Sequence, residues 1–273
     1  MYKIEDFSEA YVNGAYIPQS ERWPAAWDEP AAKLRDELLR TDRAELDIRY
    51  GDGARNWFDL FHPQGAARGL VVFIHGGYWL RFGPRSFSHL AAGALAHGYA
   101  VAMPAYTLCP DIRISGIVRE IGAAIAEAAE RVGGPIRITG HSAGGHLAGR
   151  MACADAPLPE AVRGRIAHVL PISGLPDLRP LQRTGMNETL RLDDAEARAE
   201  SPALLEPAPG MRVTCWVGSD ERPEFLRQNA LLAKIWGGLG IETSSHIEAG
   251  KHHFDIVDGL ADPDSALTAA LLG

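Results

Sequence analysis

Gly69-Leu70-Val71-Val72-Phe73-Ile74 and Tyr99-Ala100-Val101-Ala102-Met103 are apolar at consecutive positions rather than at every second one. A strand with one face in water alternates, whereas a strand covered on both faces does not. These runs predict inner strands of a parallel sheet, and Ile136–Thr139, Val169–Ile172 and Val213–Val217 continue the series. Between them the apolar spacing changes to three and four residues. That predicts helices over Ser86–His97, Ile117–Val132, Gly145–Ala154, Glu224–Trp236 and Asp262–Leu272. Strands around Glu45–Tyr50, Trp57–His62 and Thr243–Ile247 bring the sheet to about eight. The alternation of the two element types predicts an α/β fold with a mainly parallel, doubly wound sheet.

Two stretches break this rhythm. Residues 1–40 read as an irregular start, with Trp23, Pro24 and Trp27 preceding one helical pattern from Ala31 to Leu39. Residues 175–209 are polar and punctuated by proline, and short helices are expected there. An insertion after the carboxyl end of a strand lies over the site of a doubly wound enzyme, so this stretch is expected to form a lid. No repeat or low-complexity segment divides the chain, and residues 1–273 are expected to form one domain.

Composition narrows the class of function. The formal net charge is -8 and no basic block occurs, which argues against nucleic acid as a partner. The three cysteines, Cys109, Cys153 and Cys215, are too widely spaced for a disulfide framework or a zinc site. The opening residues have no basic-then-apolar pattern and no run is long enough to span a bilayer. A cytoplasmic protein with a small-molecule substrate and no membrane partner is the expectation, and self-association as a homodimer stays open.

The candidate chemistry is a serine. Gly140-His141-Ser142-Ala143-Gly144 reads G-x-S-x-G between a strand pattern and a helix pattern, the context of a nucleophile elbow. By itself the motif also fits a Gly/Ser turn. Three further features follow the chain order of an α/β-hydrolase. His75-Gly76-Gly77-Tyr78-Trp79 closes the strand Leu70–Ile74 and resembles an HGGG-type oxyanion loop. Its expected donors are the Gly77 and Tyr78 amides, joined by that of Ala143, with His75 as a structural anchor. Asp220 and Glu221 both lie after a late strand, where a triad acid belongs, and His252 and His253 both lie near the C-terminus, where its histidine belongs. A metal reading of His252, His253 and Asp255 lacks a partner at helical spacing.

The set His75–Trp79, Gly140–Gly145, Pro223-Glu224-Phe225-Leu226-Arg227-Gln228 and His253-Phe254-Asp255 resembles the kynurenine formamidase (arylformamidase) branch of the α/β-hydrolase fold. Pro104–Pro110 and Ser173–Leu178 look like its connecting segments, whereas the first forty residues match less clearly. The resemblance implies Ser142, His253 and Glu221 as the triad. Glutamate stands where the animal enzymes have aspartate, and Asp220 remains the rival acid. It also implies hydrolysis of an N-formyl aryl amide, with no cofactor and no metal. Apolar walls for an aryl group would come from Tyr78, Trp79, Tyr106 and Phe254. A carboxylesterase for small acyl or aryl esters would use the same residues. A non-catalytic binding module on this fold would be expected to have lost them.

Overall fold

In the computed structural model, which describes residues 2–273, the consecutive apolar runs are the inner strands of one eight-stranded sheet. The strands are β1 (Ala44–Arg49), β2 (Trp57–Phe61), β3 (Leu70–Ile74), β4 (Ala100–Pro104), β5 (Ile136–His141), β6 (Ile166–Ile172), β7 (Arg212–Gly218) and β8 (Glu242–Glu248). Their spatial order is β1-β2-β4-β3-β5-β6-β7-β8. The pairings β1–β2 and β2–β4 are antiparallel, and every pairing from β4 across to β8 is parallel.

The reason for the apolar runs is visible along β3. Leu70, Val72 and Ile74 pack into one core, and Val71 and Phe73 into the other. The first core is closed by the helices Ile114–Arg131, Ala143–Met151 and Pro223–Gly238; the second by Trp23–Arg40 and Ala266–Leu272. The edge strand β8 (Glu242–Glu248) is polar and mostly exposed, which suits an edge that would otherwise invite pairing. No helix among the described residues is long and apolar enough to cross a membrane.

The chain leaves β3 toward β4 on one side and returns to β5 on the other. A crevice opens at the carboxyl ends of strands at such a reversal. The loop after β3 and the turn after β5 therefore meet there, bringing His75–Trp79 beside Ser142.

Three expectations need correction. The N-terminal helix begins at Trp23 rather than Ala31. Pro24 fits its first turn, where an N–H would be unpaired anyway, and Trp27, Ala31 and Leu38 are its buried residues. The Ser86–His97 helix is a 3-10 stretch, Pro84–Ala91, running into a short α-helix, Ala92–Ala96. None of residues 175–209 lines the cavity that opens at Ser142. Leu178, Leu181, Leu190 and Ala197 are buried in the main core. Arg113 binds Asp193 and Glu196, and Arg150 binds Glu200. The leucines between the prolines make this segment part of the body of the protein.

Candidate active site

Ser142 sits between β5 and the helix Ala143–Met151 with φ 55° and ψ -115°. A non-glycine residue holds such a conformation only when its surroundings impose it. Here the Ser142 amide donates to the Ile172 carbonyl (2.8 Å), and the Ser142 carbonyl accepts from the His146 amide (3.0 Å). Side chains at the flanking glycines would collide with backbone. A Cβ at Gly140 would strike the Gly144 carbonyl, and one at Gly144 the Ile74 carbonyl. The G-x-S-x-G spacing thus permits the close crossing that holds the serine at the helix N-terminus, where negative charge is favoured.

The loop after β3 lies against this turn. A Cβ on Gly76 would come within 3.2 Å of the Ser142 Cβ. Gly77, Tyr78 and Trp79 all have positive φ, at 109°, 57° and 59°. The loop closes through bonds from the Leu80 and Arg81 amides to the Gly77 carbonyl (2.9 and 3.1 Å). His75 anchors it: its ring stacks on Tyr106 at 4.3 Å, and its Nδ1 bonds the Gly76 carbonyl at 2.7 Å. Full burial pushes the His75 pKa down to about 3, so the ring is neutral near pH 7.

His253 and Glu221 come together from loops after β8 and β7. His253 Nδ1 lies 2.6 Å from Glu221 Oε2, and the carboxylate is buried. The other carboxylate oxygen, Oε1, accepts from the Ser173 hydroxyl and from the Gly218 amide (2.9 Å). Asp220 is exposed and accepts from Ser219 Oγ. His252 has other partners than Glu221. Its Nδ1 accepts from the Phe254 and Asp255 amides (both 3.2 Å), and its ring meets Trp23 edge-on. The His253 ring lies between His141 (4.5 Å) and Phe225 (4.6 Å). Burial, then the neighbouring His253, drive the His141 pKa well below the usual histidine value. A neutral His141 places no like charge beside His253.

Ser142 and His253 line one cavity of about 260 Å³. Tyr78 and Phe254 are in its wall, as expected. Trp79 and Tyr106 are not. Both are fully buried, Trp79 edge-on to His146 at 5.3 Å and Tyr106 under His75. The other aromatic wall residues are Trp27, Phe82 and Phe87, with Arg81 and Glu21 also lining the cavity. Trp27 packs against Phe82, Phe87 and Phe254 at 6.0, 5.1 and 5.5 Å between ring centres. The Trp23-Pro24-Trp27 cluster was the available signal for this wall; nothing local in the sequence marks Ser173, Phe82 or Phe87 for the site.

The sequence matches the BD-FAE family profile over residues 58–199, and BD-FAE is an α/β-hydrolase family. Curated kynurenine formamidases are similar over most of the chain. The Danio rerio protein is 27% identical over 83% of this chain and 80% of its own, and the Drosophila melanogaster protein 25% identical over 86% and 83%. A crystal structure from Silicibacter sp., carrying a provisional thioesterase label, superposes with a TM-score of 0.94 at 48% identity, covering 99% of this chain and 100% of that one. Esterase B from Lactobacillus rhamnosis shares the fold at 18% identity and a TM-score of 0.64, over 85% of this chain and 90% of its own. This chain belongs to the BD-FAE family of α/β-hydrolases, in a branch similar to the kynurenine formamidases.

Proposed function

We propose that this hydrolase is serine-dependent and removes the formyl group from N-formyl aryl amides of the N-formylkynurenine type. The observation that carries the reading is the 2.6 Å contact of buried Glu221 with His253, which lines the same cavity as Ser142. On this reading the free ring nitrogen of His253 takes the Ser142 proton as the hydroxyl attacks the formyl carbon. Glu221 keeps the other ring proton on Nδ1 and stabilises the imidazolium as it forms. The amides of Gly77, Tyr78 and Ala143 receive the oxyanion. His253 then protonates the departing aryl amine. Water, deprotonated by the same imidazole, cleaves the formyl ester of Ser142 and releases formate.

The substrate part of the proposal draws support from the kynurenine formamidase relatives and from the aromatic wall of Trp27, Phe82, Phe87 and Phe254. Ester or thioester cleavage is the second reading. It is favoured by the label on the 48%-identical Silicibacter structure and uses the same groups. The deciding experiment compares kcat/KM for N-formyl-L-kynurenine with that for p-nitrophenyl acetate and a short acyl thioester, using Ser142→Ala as the blank. Ser142-dependent deformylation well above the ester and thioester rates supports the proposal. Ester or thioester cleavage without deformylation leaves the serine chemistry and discards the substrate. Equal rates for the parent and the blank discard both.

A further inference from the structure

The segment Pro223–Gln228 is one of those that carry the resemblance to the kynurenine formamidases, yet the proposed chemistry uses none of its side chains. Glu224 stands in the first turn of the helix Pro223–Gly238, and its carboxylate is fully buried. Arg227 grips it through two bonds (2.8 and 2.7 Å), and Gln228 Nε2 donates to it at 2.9 Å. The remaining donor comes from far away in sequence: the Tyr11 hydroxyl bonds Glu224 Oε1 at 2.8 Å. Gln228 also donates to the Asp177 carbonyl and accepts from the Asp177 amide (both 3.0 Å). The motif therefore ties the N-terminal segment and the 175–209 segment to the helix that follows Glu221.

Tyr11 has a second attachment. Its backbone carbonyl accepts from the Tyr78 hydroxyl at 3.1 Å. Its ring packs edge-on against Phe225, which in turn touches His253. Tyr78 has φ 57°, a conformation its neighbours must enforce. The side-chain tether to Tyr11 is one enforcing contact, and it is only as fixed as Tyr11 itself.

We propose that Tyr11 is a positioning residue: clamped by Glu224 and Gln228, it holds Tyr78 and thereby sets the oxyanion loop against Ser142. This rests on the serine-hydrolase reading. A small displacement of an oxyanion donor is costly, because the donor must meet charge that develops only in the transition state.

The test measures fluorophosphonate labelling of Ser142, and kcat and KM for p-nitrophenyl acetate, in the parent, Tyr11→Phe, Tyr78→Phe and the double variant. Melting temperatures are recorded, and rates are taken well below them. The expected result is that either single variant slows labelling and lowers kcat by roughly tenfold, with KM within about twofold. The double variant should be no slower than the worse single, because both changes loosen one tether. Glu224→Gln, which retains an acceptor for Tyr11, should keep more activity than Glu224→Ala. Parent-like labelling and kcat in both single variants, even with a lower melting temperature, would make Tyr11 merely structural and overturn the proposal. Should Tyr11→Phe not fold, Tyr78→Phe decides alone, since it leaves the clamp intact. Absence of Ser142-dependent labelling in the parent would instead sink the serine reading, and the proposal with it.

Discussion

His253 and Glu221 meet at 2.6 Å although thirty-two positions separate them in the chain. Glu221 arrives already oriented, because Ser173 and the Gly218 amide occupy its other oxygen. One carboxylate oxygen is thus committed to the scaffold and one to the imidazole.

That division separates the two neighbouring acids. Glu221→Gln should lower kcat by about 10²–10⁴, since an amide cannot enforce the imidazole tautomer. Asp220→Asn, at an exposed position, should stay within about twofold. Steady-state kinetics on the fastest substrate decide it, and comparable losses in both variants would move the acid elsewhere.

The adjacent histidines give a parallel test. His253→Ala should cost at least about 10³ in kcat, because the proposed mechanism routes every proton transfer through its ring. His252→Ala should leave kcat within about threefold and lower the melting temperature by a few degrees, since its ring accepts two turn amides. Melting scans beside the kinetics separate the outcomes; a silent His253→Ala would refute the assignment.

Ser173 has no proposed contact with substrate, yet it donates to Glu221. Ser173→Ala should reduce kcat by roughly tenfold, with KM nearly unchanged, by leaving a buried carboxylate short of one hydrogen bond. A rise in KM with unchanged kcat would show that Ser173 acts on binding instead.

Trp27 offers a test of the wall. Trp27→Leu should raise KM for aryl substrates several-fold more than for a short alkyl ester, because only the former need the aromatic face. Equal changes for both substrate types would mean that Trp27 supports the fold alone.

Asp258 makes stability depend on pH. Burial, reinforced by the Asp255 carboxylate, raises its pKa from 3.8 to about 6. The folded chain therefore holds an extra proton between those values. Its contribution is most favourable below about pH 4, declines as pH rises to about 6, and stays unfavourable above that. Asp258→Asn should gain stability over the parent at pH 7.5 and little at pH 4, as read from urea midpoints. A pH-independent difference between the two proteins would exclude this origin.

Much of the architecture was legible because β3 and β4 bury both faces, which leaves consecutive apolar residues in the chain. The serine elbow was legible for a similar reason. Its constraint is local, and only residues without Cβ tolerate the crossing at Gly140 and Gly144. The choice between Asp220 and Glu221 was open to residue chemistry alone, since both are carboxylates in one turn; resemblance pointed to Glu221, and the fold holds Glu221 with Ser173 and Gly218 against His253 while Asp220 is exposed. The insertion misled because prolines and charges suggested a lid, while its leucines met a core built by other segments.

The sequence by itself determined the alternation of strands and helices and the glycine spacing of the elbow, because each is written in short-range spacing and side-chain size. Only the tertiary structure decided which aromatic rings face the cavity. Trp79 and Tyr106 went into the core, and Trp27, Phe82 and Phe87 became the wall. That outcome depends on the N-terminal segment returning across the carboxyl ends of the strands, where Glu224 holds Tyr11 from more than two hundred positions away. Contacts over such separations leave no periodic trace in the chain, since any aromatic of suitable size satisfies either place until the packing partners are known.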